Sequence, residues 1–314
     1  MARSIERARR APNGRSGRDF LPWSGPGGCQ SCSYCEGVSA TPEEFKAGTA
    51  GGFGRAARTY DTVIPFFEAF ARYLVDAAAP NPGDRVLDVA CGRGACLRVA
   101  AEHVGRSGYV LGVDLSSDMV EVARHDLAGL DLPSSVEVRV ADGEHLDVPD
   151  DSFDVVVCGF GVFFFPDPGA AMSECERVLR RGGRFAGSTF VGSGGGYPWI
   201  GDVIRAIRPN AAMPPRSPVA TAAGLVECLS QAGFVDATTR EVEARFVFPD
   251  LDAYLAWNWS TGTRRLLESL NDAEAEAYRR ESAARLQDHA VPGGYELIQT
   301  AALTIATKPR PPQR

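Results

Sequence analysis

The chain has 314 residues, 44% of them hydrophobic and 23% charged, which excludes wholesale disorder and collagen-like architecture and suffices for two average domains or one large α/β domain with insertions. A net charge of −7 argues against a chain-wide grip on nucleic acid and favours a small-molecule partner. The longest apolar run, the 12 residues from Val155 to Pro166, is too short for a bilayer, and no apolar signal core follows the Arg-rich start, so a cytoplasmic protein with no membrane span and reduced cysteines is expected.

From residue 1 to about residue 54, Gly, Pro, Ser and Arg recur without a hydrophobic period, and the stretch reads as an N-terminal extension without fixed structure. Cys29, Cys32 and Cys35 stand in it as C-x2-C-x2-C, a spacing that could hold zinc or part of an iron–sulfur cluster, but no fourth ligand is near and no metal is expected. A translation start near Val38 would leave these cysteines out altogether.

Order begins near Tyr60. Ile64, Phe67, Ala71, Leu74 and Val75 recur at helical spacing and predict a helix from Pro65 to Ala78, stopped by Pro80-Asn81-Pro82-Gly83. Strands are predicted at 85–90, 109–113, 136–140, 153–158 and 184–191, and helices between them at 94–103, 117–127 and 169–179. That alternation predicts a doubly wound, mostly parallel sheet with helices on both faces. Residues 192–220, rich in Gly and Pro, interrupt the rhythm. A helix at 222–232 and a strand at 235–248 follow, then an insertion at 249–292, wholly helical as far as residue 290, and a last strand at 295–307. The two insertions are expected to form a cap over a core domain of residues 55–309, with 310–314 as a tail.

Ligands of such sheets bind beyond the carboxyl ends of the strands, where the strand order reverses. The first strand ends there as Val86-Leu87-Asp88-Val89-Ala90-Cys91-Gly92-Arg93-Gly94, and Asp114 closes the second strand in position to accept hydrogen bonds from ribose hydroxyls. A dinucleotide site would need Gly or Ala where Leu97 stands, and a carboxylate at Asp88 would repel a pyrophosphate. A nucleoside with a cationic tail, a description S-adenosylmethionine meets, suits Asp88 better. Asp142 and Gly143 follow the third strand, where a carboxylate can take a hydrogen bond from an adenine amino group. Met119 is placed to pack on the purine. Cys158, with Gly159 and Phe160, follows the fourth strand, where backbone can approach the methionine part.

In residues 60 to 191 the chain resembles the class I S-adenosylmethionine-dependent methyltransferases of the bacterial small-molecule, UbiE-like type. The glycine loop carries the likeness, together with Gly112-Val113-Asp114-Leu115-Ser116, Ser152-Phe153-Asp154-Val155-Val156 and Arg177-Val178-Leu179-Arg180-Arg181-Gly182-Gly183-Arg184. The resemblance implies a Rossmann-like sheet of seven strands with the last antiparallel. It also implies that Asp88, Gly92 and Gly94 contact the methionine side, Asp114 the ribose and Asp142 the adenine, with Ala90 where many members carry glycine. Tyr60 corresponds to a tyrosine lying over the cofactor in similar enzymes.

Methyl transfer from a sulfonium is an in-line displacement that alignment and water exclusion suffice to promote, so no universal catalytic residue marks the acceptor. Phe160, Phe163 and Phe164 follow the fourth strand on the acceptor's side, and Trp199, Tyr254 and Trp257 in the insertions add aromatic surface for a flat, apolar metabolite. His145 and His289 are candidate general bases. Oxygen, nitrogen and carbon acceptors all remain open, carbon methylation of an indole-type ring among them, with secondary metabolism the expected setting. The competing readings are a cofactor-binding regulator without turnover and a methyltransferase of RNA or protein. The second would want a basic reading appendage, and only the first 20 residues are basic.

Overall fold

The computed structural model describes residues 41–192, 196–197, 199–209 and 217–310. In chain order the elements are α1 (Pro42–Ala56), α2 (Phe66–Ala78), β1 (Arg85–Val89), α3 (Ala95–Val104), β2 (Tyr109–Asp114), α4 (Ser117–Ala128), β3 (Ser135–Val140) and β4 (Phe153–Gly159). Next come α5 (Pro168–Val178), β5 (Leu179–Phe190), α6 (Ile200–Ile207), α7 (Ala222–Gln231) and β6 (Val235–Phe248). The chain ends with α8 (Leu251–Trp259), α9 (Arg264–Leu267), α10 (Asp272–Leu286), β7 (Ala290–Val291) and β8 (Gly294–Thr307).

The strands form one sheet in the order β3-β2-β1-β4-β5-β8-β6, with the two-residue β7 hairpinned onto β8. Pairing is parallel from β3 to β5, and β8 runs antiparallel to both β5 and β6. This is the expected sheet of seven strands with the last reversed, and β7 is an addition to it. Strand order reverses between β1 and β4, so the crevice lies at their carboxyl ends.

The two-residue period of the strands divides the core. Val86, Val110, Val155 and Val157 face α2, α3 and α4, while Leu87, Leu111, Val156 and Cys158 face α5 and α7. Asp88 shares its face with Val86 and is therefore carried in under α2 and α3. A third cluster builds the cap: Tyr197, Trp199, Tyr254, Trp257 and Tyr278 pack with Phe66 of α2 and with Phe246 and Phe248, at the end of β6.

The stretch expected to lack structure as far as residue 54 is helical from Pro42. Thr41 and Glu44 make a capping box, Thr41 Oγ1 accepting from the Glu44 amide (3.2 Å) and Glu44 Oε2 from the Thr41 amide (2.7 Å), with Pro42 at the first helical position. Four glycines depress the helix propensity of the later turns, so the helix owes its order to distant partners. These are Lys46 to Asp142 and Glu144, Arg55 to Glu268, and Phe53 against Phe164. A helix also forms inside the 192–220 insertion, as α6. Cys29, Cys32 and Cys35 lie outside the described residues. Among the described residues, no helix is long and apolar enough to cross a membrane.

Candidate active site

The loop after β1 turns through three left-handed residues in alternation, Ala90 (φ 58°), Gly92 (φ 51°) and Gly94 (φ 85°). Glycine adopts this conformation freely, and alanine holds it at a cost of about 1 kcal/mol. Gly94 is the residue before α3 and lines neither of the two cavities that open on this loop. The loop is pinned by Asp114, whose Oδ2 accepts the Gly92 amide (2.8 Å) while Oδ1 accepts the Ser116 amide (2.9 Å). Arg93 adds a tie to the preceding segment, donating to the Tyr60 carbonyl (2.7 Å) and pairing with Asp126.

Two cavities of about 150 and 100 Å³ open on this loop. The first lies under α2 and α3 and is lined by Asp88, Asp61, Phe67, Arg98 and Ser188. The second is lined by Asp114, Met119, Asp142, Gly143, Phe164 and, from α1, Lys46. Tyr60, Ala90, Gly92, Gly159 and Phe160 line both and form the neck between them.

Asp88 is 1% exposed and its Oδ2 has no hydrogen-bond partner. Burial, with the Asp114 charge adding to it, pushes its carboxyl well above the usual range. An unpartnered acid at the end of a cavity is an electrostatic demand for a cation, and the α-ammonium of an amino acid meets it. Burial likewise raises Asp61 to about 6, against the hydrogen bonds it accepts from the Phe67 and Glu68 amides at the start of α2. Burial raises Asp114 too, against the two amides it holds. The group implied by these residues is S-adenosylmethionine. A carboxylate seeking an ammonium, a neck of aromatic rings and a second acid-lined cavity suit its amino-acid end, its sulfonium and its nucleoside in that order.

Tyr60 stacks on Phe67 (4.6 Å, 13°) and meets Phe53 edge-on. Burial, then the charges of Asp61 and Asp114, raise its phenol well above the ordinary value, so it offers the neck a neutral ring. Phe160, held at φ 55°, donates its amide to Ser188 Oγ (2.9 Å) and stacks on Phe190 (4.3 Å, 18°). Phe163 packs beside Phe190 and lines neither cavity, whereas Phe164 reaches across to Phe53 of α1 (5.0 Å).

Several expected site residues stand elsewhere. His145 is 81% exposed beside Asp142 and lines neither cavity. His289 sits in the cap against Tyr197, with its Nε2 accepting from Trp199 Nε1 (3.4 Å). The side chain of Cys158 is buried in the face that α5 covers, and its neighbours Gly159 and Phe160 reach the neck instead. Trp199, Tyr254 and Trp257 are the cap's own core. Tyr254 is fully buried against Phe248 (5.5 Å) and Trp257 packs on Phe66 (5.5 Å), so neither presents a face to the cavities. Residue type could not separate a pocket wall from a packed core here. The residues missed were Arg98, Ser188 and the α1 trio Lys46, Thr49 and Phe53. For the trio, Thr41-Pro42-Glu43-Glu44 was the readable signal of a helix.

The methyltransferase domain family matches residues 87–187. The nocamycin O-methyltransferase of Saccharothrix syringae is 34% identical over 257 residues, 77% of this chain and 91% of that protein. The ubiquinone/menaquinone biosynthesis C-methyltransferase UbiE of Xanthomonas oryzae pv. oryzae is 37% identical over 137 residues, 42% of this chain and 54% of its own. The solved structure of YcgJ from Bacillus subtilis shares the fold at 19% identity with a TM-score of 0.51, covering 77% of this chain and all of that one. A relative 34% identical over 77% of this chain and nine-tenths of its own length, together with the methyltransferase domain match, shows that the chain belongs to the class I S-adenosylmethionine-dependent methyltransferases of the bacterial small-molecule type.

Proposed function

We propose that this methyltransferase acts on an oxygen of a flat, apolar secondary metabolite that enters between the neck and the cap. The observation that carries this reading is the aromatic lining of the neck and the first cavity: Tyr60 and Phe160 line both cavities, Phe67 and Phe70 line the first, and Phe190 stacks behind Phe160. Oxygen is favoured because the likeness to an O-methyltransferase spans 77% of the chain, whereas the C-methyltransferase likeness spans 42%.

In this reading Asp88 takes the ammonium of the cofactor, Asp114 its ribose, and Asp142 with Met119 its adenine. The bound cofactor supplies an electrophilic methyl on a sulfonium. The protein's own work is to align an acceptor with that methyl and to keep water away, with the Tyr60 and Phe160 rings offering their faces to the positive charge. Tyr60→Phe therefore keeps most of kcat, while Tyr60→Ala, which removes the ring, lowers kcat about ten-fold at saturating donor. A phenylalanine variant as impaired as the alanine one would give the hydroxyl the leading role instead.

The test of the reaction is transfer of labelled methyl from S-adenosylmethionine to a panel of aromatic and polyketide-like acids, phenols and carbon nucleophiles. Labelled ethers or esters support oxygen. Label found only on carbon overturns it, and tight cofactor binding without transfer to any member would point to a regulator.

A further inference from the structure

Lys46 belongs to none of the loop motifs, yet its ammonium reaches a residue 96 positions away. Nζ donates to Asp142 Oδ2 at 2.7 Å and lies 2.5 Å from Glu144 Oε2. Both acids are anchored independently of it. Asp142 Oδ1 accepts the Glu144 amide (3.0 Å), and Glu144, 6% exposed, accepts the Asp167 amide (2.8 Å). Burial works to raise the Asp142 carboxyl, but the hydrogen bonds from Lys46 and the Glu144 amide outweigh it and hold the group below its ordinary value. Asp142, Glu144 and His145 converge as a cation site would, and the Lys46 ammonium lies against the two acids.

The chain contains only two lysines against abundant arginine. A compact ammonium can lie between two carboxylates without the planar fork that would spread into the neighbouring cavity. Lys46 and Phe53 both line that cavity from α1, so the same ion pairs that hold Asp142 also hold the helix over it.

We propose that Lys46 is a positioning residue for purine selection: by fixing Asp142 against Glu144 it aims an ionised carboxylate at the 6-amino group of the cofactor's adenine, so that this site selects 6-aminopurines over 6-oxopurines. The proposal rests on the cofactor reading given above. A carboxylate so fixed accepts from an amino group and repels a carbonyl in the same place. Freed of Lys46, it can turn away and discriminates less.

The experiment is calorimetric titration of the full chain with S-adenosylhomocysteine and with S-inosylhomocysteine, its 6-oxo counterpart. The unaltered protein prefers the adenosyl compound by about ten-fold or more, the worth of one hydrogen bond to a charged group against a repulsive contact. In Lys46→Met, S-adenosylhomocysteine binds about ten-fold more weakly and the preference shrinks to about three-fold or less. Should Lys46→Met prove unstable, Lys46→Gln carries the same comparison. A variant that weakens both compounds equally, or neither, overturns the proposal, because a mere tether for α1 would leave the ratio untouched. Failure of the unaltered protein to bind S-adenosylhomocysteine would sink the cofactor reading itself, an outcome distinct from these.

Discussion

Asp88→Asn weakens S-adenosylhomocysteine binding by about 100-fold and at the same time raises the thermal midpoint of the ligand-free protein. Both effects have one cause. The Asp88 carboxyl is buried with an oxygen lacking any hydrogen-bond partner, so the empty fold bears a desolvation penalty that only an incoming cation relieves. Asparagine removes the buried acid and its attraction for an ammonium together. The acid's raised pKa adds a second signature. Folding favours the protonated carboxyl, so its contribution to the stability of the ligand-free protein is full below the unfolded carboxylate value and is lost as the pH rises through the folded value. An ammonium instead requires the carboxylate, so binding releases a proton and tightens with rising pH until the acid ionises unaided. Titration in two buffers of different ionisation enthalpy measures that proton, and it disappears in Asp88→Asn. Unchanged affinity in the variant would remove Asp88 from the site.

Asp114→Ala abolishes measurable cofactor binding, a loss of at least about 100-fold, and lowers stability by about 2 kcal/mol. Its carboxylate holds the Gly92 and Ser116 amides at once, tying the glycine loop after β1 to the start of α4, and it borders the second cavity. Removing it orphans two amides and loosens a loop otherwise held by the Cys91 amide on the Val113 carbonyl and by Arg93. Asp114→Asn separates the two roles. Its amide oxygen can accept from one of the two amides, so about half of the stability returns, but the ribose loses its paired acceptors and the affinity stays low. Thermal unfolding beside calorimetry distinguishes them, and normal affinity in Asp114→Ala would exclude a ribose contact.

Much of the glycine loop and the placement of its acids was legible because these are written in short spacings. An acid at a strand end, glycines two apart and a second acid closing the next strand are local requirements of a chain turning closely around a ligand, and β1, β2 and β4 deliver them within a residue of where they were expected. The acceptor side was not legible in the same way. Phe160 and Phe164 border cavities while Tyr254 and Trp257 are wholly interior, although all four are aromatic residues in apolar stretches. His145 and His289 are also alike in sequence, yet one stands in solvent and the other under Trp199.

The sequence by itself determined the parallel sheet with its reversed last strand, the left-handed glycine loop and the acids that ring it, because backbone conformation and strand period depend on neighbours a few residues apart. Only the tertiary structure decided that α1 is a wall of the second cavity, that Lys46 pairs with Asp142, and that the cap's aromatic residues mostly face one another. Those outcomes depend on partners brought together from distant parts of the chain. Charge or apolarity at a single position states that a partner is needed and leaves its identity to the fold.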